Sequence, residues 1–258
     1  MIKKEITYFL TALMFFTRIP IPVKLDYSSE IMNQSQKYYP LVGWVVGGFN
    51  ALVFYLLHSI LPIDICLVLM MMSSVLLTGA FHEDGFTDVC DSFGGGYGKE
   101  KILTIMKDSR VGAYGVVGII LLFLLKFLSM NHLAETSIYD FLVVLIVAHS
   151  SSRYLSVLMI HTHQYVSDID QSKSKPIANK ALPKKTLFVG LVFTLLPFVW
   201  FQNTYMLLVL PFAYLGKAYL GWYFKKHIGG YTGDCLGTVQ QITEILIYLG
   251  FIILWKFM

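Results

Sequence analysis

Seven stretches of this chain are apolar over a length that can cross a bilayer: about 40–61, 64–81, 111–130, 138–160, 186–202, 204–224 and 238 to the C-terminus. Crossing the hydrocarbon takes roughly 20 helical residues. The expected fold is therefore all-α, a polytopic integral membrane protein with about seven transmembrane helices in contact with lipid. Charged residues make up only 14% of the chain, against about 25% in soluble domains. Residues 1–258 read as a single integral membrane domain. The segment 5–17 is apolar but short, and Arg18-Ile-Pro-Ile-Pro22 stops it. It reads as a short interfacial or partly inserted helix. No small-residue cleavage site follows it, which argues against a signal peptide. Residues 24–39 read as polar and exposed.

Charge sets the expected orientation. If the loops 82–110, 161–185 and 225–237 share one side with the N-terminal segment, that side holds sixteen of the twenty Lys and Arg residues. Cytoplasmic loops carry such an excess, so these loops are expected at the cytoplasmic face of the cell membrane. The net charge of +4 then serves orientation and anionic ligands. There is no soluble basic domain to hold nucleic acid. Cys66, Cys90 and Cys235 form no CxxC pair, which speaks against a zinc site or a disulfide framework.

The chemistry is concentrated in the stretch from Phe81 to Gly115, between two apolar runs. On a helix, Asp84, Asp88 and Asp91 fall within roughly 60° of one another. Like charges on one face repel unless a cation lies between them. Oxygen-only ligands suit a hard cation such as Mg²⁺, which commonly also holds substrate phosphates. Glu83 is a further candidate ligand. Gly94, Gly95 and Gly96 open a glycine run suited to substrate contact, and Lys99–Asp108 reads as a short amphipathic helix. Asp108 is a candidate for the metal shell or for the base, and Arg110 for a phosphate fork. The blander reading is a solvated loop whose Arg110 marks the membrane boundary.

Other polar residues lie near or within the spans. Arg153 sits four residues after His149, and an intramembrane Arg faces a cavity or the bundle interior. It is a candidate phosphate ligand. Lys126 is expected to snorkel. Asp234, in the Thr232–Gly237 turn, is a candidate ligand or base, and Glu244 could pair with Lys217 or Arg153. His82 reads as a polar interface residue, with proton transfer as the alternative.

Taken together, His82-Glu-Asp-Gly-Phe-Thr-Asp-Val-Cys-Asp91, the glycine run and Ile105-Met-Lys-Asp-Ser-Arg-Val-Gly-Ala-Tyr-Gly115 resemble the cobalamin synthase family. The resemblance continues at Phe16-Thr-Arg18-Ile-Pro20, Tyr39-Pro40-Leu-Val-Gly43 and Thr232-Gly-Asp-Cys-Leu-Gly237 with Glu244. It implies a Mg²⁺-dependent enzyme that joins adenosylcobinamide-GDP to α-ribazole or α-ribazole 5′-phosphate. GMP is released, and the product is adenosylcobalamin or its 5′-phosphate. It would place Asp84, Asp88, Asp91, Asp108, Arg110 and Asp234 in the catalytic centre. Two other classes compete. A CDP-alcohol phosphotransferase would carry Ala-Arg where Thr87-Asp88 stands. A divalent-cation transporter would carry its acidic groups at mid-membrane.

Overall fold

The computed structural model describes residues 2–26, 28–166 and 183–257. Eleven α-helices run among them: α1 (Ile2–Phe16), α2 (Ser29–Ser35), α3 (Tyr39–Leu57), α4 (Ile63–Thr78), α5 (Phe81–Gly95), α6 (Lys99–Met106), α7 (Ala113–Thr136), α8 (Ile138–Thr162), α9 (Lys184–Leu195), α10 (Val209–Ile228) and α11 (Gly233–Lys256). Tight 3₁₀ turns lead into α3 and α10 and extend α9 to Phe201. A parallel bridge, Tyr165 to Tyr231, ties the end of α8 to the start of α11. Much of the lysine-rich stretch expected between α8 and α9, residues 167–182, lies outside the described residues.

Among the described residues, five helices or joined helix runs are long and apolar enough to cross a membrane. The bent pair α4 and α5 makes a sixth candidate. The seventh expected span, α10, is long enough but does not qualify, because Lys217 and its tyrosine-rich, glycine-containing sequence dilute its apolarity. The stretch 24–39 departs from expectation as well. It contains α2, capped by Ser28 accepting from Ile31 N–H at 3.1 Å, and it buries Met32, Ser35, Gln36 and Lys37. Lys37 pairs with Glu5 of α1 at 2.6 Å, so one charged residue of this segment serves to dock the N-terminal helix.

Two features set the architecture. Gly43 and Gly47 bring α3 against α8, and a Cβ at either position would collide with the backbone of Leu145–Ser150. Small residues at helix interfaces permit this approach where no hydrophobic effect drives helices together in lipid. The second feature is a bend of 91° between α4 and α5. At Gly79 and Ala80 the chain is left-handed, with φ of 69° and 58°. Both amides return to Val75 O, at 2.8 and 3.1 Å, closing α4 in a Schellman cap. α4 falls within the expected span 64–81, and α5, turned through a right angle, falls almost wholly in the stretch 82–110 expected outside the spans. α11 packs on α5, α7, α8 and α10 and is the hub of the bundle.

Gly43→Val should abolish the α3–α8 contact and sharply lower the yield of folded protein. Gly48→Ala, on the same helix but facing open space, should leave thermal stability in detergent unchanged or slightly raised. Thermal unfolding of the two variants side by side checks this.

Candidate active site

The site forms where α5 crosses α11. Gly85 faces the backbone of Asp234, and Gly237 faces the backbone of His82, so a side chain at either glycine would push the helices apart. Thr232 starts α11 by accepting from Cys235 N–H at 3.3 Å. The preceding strand-like contact, Tyr231 N–H to Gln164 O at 2.9 Å, holds this start against the end of α8. Five segments distant in sequence enclose one cavity of about 220 Å³.

One side of the cavity is polar. Asp84, Asp234, His82 and Arg153 line it. Asp88, one turn beyond Asp84, stands beside the same group. Burial, followed by the carboxylates of Asp234, Asp84 and Asp91, pushes the Asp88 carboxyl up to about 7. This is the behaviour of carboxylates gathered without a counter-charge. The other side is aromatic, formed by Phe15 and Phe16 of α1, Tyr39 of α3 and Phe81 of α5. These rings were not foreseen as site residues. The only sign of them in the sequence is that Phe16 and Tyr39 fall within stretches that carry the family resemblance.

Arg153 is the cavity's cation. Its side chain is 2% exposed. Nη1 donates to His149 O at 3.0 Å, and Nε has no hydrogen-bond partner. No carboxylate among the described residues lies within ion-pair distance of it. Behind Arg153 is a buried polar network centred on Glu244, which is 1% exposed. Lys126 Nζ lies 2.8 Å from its carboxylate and His149 Nδ1 3.3 Å from it. Gln240 donates to it at 2.6 Å and Tyr248 at 3.1 Å. Lys126 therefore points inward instead of snorkelling. Glu244 takes Lys126 and His149 in place of the expected Lys217 or Arg153. Lys217 instead donates to Thr162 Oγ1 at 2.6 Å.

The remaining sequence-derived candidates divide by position. Glu83 turns to the bundle and accepts from Gln241 Nε2 at 2.9 Å. Asp91 is buried and accepts from the backbone N–H groups of Gly112 and Gly115, at 2.7 and 2.8 Å, so it caps the start of α7. Asp108 and Arg110 form a bidentate pair in the exposed turn between α6 and α7, closest at 2.6 Å. The guanidinium holds the Asp108 carboxyl down at about 2. Neither lines the cavity. Gly94 and Gly95 complete α5, Gly94 lies against the Tyr114 ring, and Gly96 packs against Ile102. Among the described residues, no three His, Cys, Asp or Glu side chains converge closely enough to enclose a metal ion alone.

The sequence model of the cobalamin-5-phosphate synthase family matches residues 8–252. The adenosylcobinamide-GDP ribazoletransferase of Shewanella amazonensis is 44% identical, covering 98% of each chain. Those of Leptospira interrogans and Vibrio parahaemolyticus are 42% and 43% identical, covering 99% of this chain and 98% and 95% of their own. No solved structure matches the chain.

Asp91→Ala should remove the α7 cap and destabilise the protein by about 1–2 kcal/mol, the usual cost of a lost cap. Asp84→Asn should leave unfolding unchanged. Glu244→Ala should cost about 3–5 kcal/mol by stranding a buried Lys126. Denaturation of the three variants in one detergent distinguishes the structural carboxylates from the cavity carboxylate.

Proposed function

The chain belongs to the cobalamin-5-phosphate synthase family, and from that premise we propose that the cavity where α5 crosses α11 is where adenosylcobinamide-GDP and a ribazole are joined. The observation that carries this reading is Arg153, a buried guanidinium that lines the cavity with one N–H unsatisfied and no carboxylate paired to it. A buried cation without a partner is costly, and a guanidinium is shaped to fork onto phosphate oxygens. An arriving diphosphate supplies the missing counter-charge.

The reaction is a phosphoryl substitution. A ribose hydroxyl oxygen of the ribazole bonds to the phosphorus that carries the cobinamide. The bond from that phosphorus to the GMP oxygen breaks, and GMP departs. Asp234 orients the attacking hydroxyl and receives its proton. Arg153 holds the phosphate oxygens, and the buried network fixes Arg153 through His149. Positioning and charge neutralisation carry most transfers of this kind.

The donor set fits Mg²⁺. Asp84 and Asp88 would hold it, leaving Asp234 to the proton, while Asp91 and Glu83 are engaged with the α7 start and with Gln241. Mg²⁺ commonly takes one or two carboxylates and completes its shell with phosphate oxygens and water. That suits a site where no three carboxylates converge. When bound, the ion neutralises the diphosphate and stabilises the departing phosphate. The positive-inside asymmetry of the sequence supports a cytoplasmic side for this end of the bundle.

Purified protein in lipid, given Mg²⁺, adenosylcobinamide-GDP and α-ribazole 5′-phosphate, should release GMP and form cobalamin phosphate in equal amounts. EDTA should stop both, and added Mg²⁺ should restore them. GMP release that persists in EDTA would end the metal assignment. Arg153→Lys, which keeps the charge but loses the fork, should lower kcat/KM by about tenfold or more. Tyr97→Cys, at a 93% exposed position, should react with a membrane-impermeant maleimide only after the cells are permeabilised. Reaction in intact cells would reverse the orientation.

A further inference from the structure

His82 opens the acidic stretch, yet the phosphoryl chemistry so far leaves it without a task. It is the second residue of α5 and is 4% exposed. Two rings of the aromatic side hold its imidazole. Phe16 stacks on it at 5.4 Å with planes 11° apart, and Phe81 stands perpendicular to it at 5.3 Å. Its backbone carbonyl lies against Gly237 at the α11 crossing. The rings fix where the imidazole sits but cannot answer its nitrogens. Neither nitrogen has a hydrogen-bond partner among the described residues, and neither is sealed off as the Tyr39 hydroxyl is. His82 lines the cavity, so its nitrogens are open to what enters there.

We infer that His82 donates a hydrogen bond to the diphosphate of the donor substrate and is, with Arg153, one of a pair of side chains that hold it. The inference rests on the cavity being the active site and deepens that reading. Three observations point to the diphosphate and away from the acceptor nucleoside. His82 lies on the polar side with Arg153, and the guanidinium is near enough for its charge to be felt at the ring. An anion drawn to Arg153 therefore arrives beside the imidazole. Next, α5 starts at Phe81 without a side-chain cap, and its first turn lines the cavity. The unpaired N–H groups and the dipole of a helix start favour an anion. Finally, the other side-chain donors of the cavity wall are committed. Ser156 donates to Ser152 O and Leu236 O, both at 3.2 Å. Tyr165 and Tyr231 have partners of their own, and the Tyr39 hydroxyl is closed within the wall. A diphosphate presents more oxygens than one guanidinium can meet. A neutral imidazole carries one N–H, on either nitrogen, so the tautomer follows the position of the oxygen. Used in this way the ring takes up no proton, which leaves Asp234 to receive the one from the acceptor hydroxyl.

The test uses the full-length protein in lipid nanodiscs with Mg²⁺. It follows binding of adenosylcobinamide-GDP and, separately, turnover with α-ribazole 5′-phosphate. His82→Phe keeps the ring stack and removes both nitrogens. It should weaken adenosylcobinamide-GDP binding by about tenfold or more, the size of one hydrogen bond to a charged group, and leave KM for α-ribazole 5′-phosphate unmoved. His82→Asn and His82→Gln place an N–H near the positions of Nδ1 and Nε2, and one of the two should recover most of the lost affinity. Unchanged binding in His82→Phe would overturn the proposal. A loss that neither amide restores would also overturn it, since that is the mark of a packing role, as would a KM rise confined to the acceptor. Should His82→Phe fail to fold, the two amides still decide. Only one of them can set its N–H at the oxygen, so equal affinities would count against the contact. If the wild type binds adenosylcobinamide-GDP in a His82-dependent way but releases no GMP, the reaction assignment falls and the contact stands. Turnover that ignores His82 keeps the reaction and removes the contact, and a wild type that does not bind adenosylcobinamide-GDP would overturn both.

Discussion

A carboxylate buried in an apolar bundle must be matched where it lies, and Glu244 is that carboxylate here. It draws Lys126 from α7, His149 from α8 and Gln240 and Tyr248 from its own helix. The same set reaches α3 through Asn50, which lies 2.9 Å from His149 Nε2. It reaches α5 through Gln241, which accepts from Lys126 at 2.9 Å and donates to Glu83 at 2.9 Å. Five helices are thereby held to one point. Lipid supplies no hydrophobic force between helices, so polar contacts of this kind, together with the glycine contact of α3 on α8, set how the helices sit. His149 then links the network to function. The residue that faces Glu244 on one side supports Arg153 through its carbonyl on the other.

The site works by contrast between its two sides. The polar side gathers carboxylates and a guanidinium with no ion-pair partner among the described residues, and the aromatic side is lined by rings. A diphosphate with its cation is the ligand proposed for the polar side. Proximity and orientation account for much of a substitution's barrier, so a small enclosed space suits a reaction of this kind.

The helices were largely legible from apolar runs, because a membrane forces the chain to declare its spans. Asp84, Asp234 and Arg153 were legible too, as charges at or near apolar segments with no other evident use. What could not be read was the azimuth of each side chain. Glu83 and Asp84 are neighbours, yet one faces Gln241 and the other the cavity, and only the packing of α5 on α11 decides between them. Asp91 shares a helical face with Asp84 and Asp88 but meets the start of α7, which covers it. Lys126 looked like a boundary residue because its partner lies more than a hundred positions away. The buried stretch around Lys37 was misread for the same reason: its polar residues pair with an N-terminal helix that periodicity alone cannot bring near.

The right-angle turn at Gly79 and Ala80 also locks the chain length around it. Each residue of a helix advances the face by about 100°. Inserting a single residue between the turn and His82 would rotate every face of α5 together. His82 would leave the Phe16 ring, Glu83 would leave Gln241, and Gly85 would no longer be the residue at the α11 crossing. No neighbouring register restores even part of the arrangement, since the ring stack, the network contact and the crossing are all set by one angle. The turn between α3 and α4, by contrast, contributes no residue to the cavity. The family's tolerance of insertions should therefore differ between the two membrane faces, with the face that performs chemistry counted residue by residue.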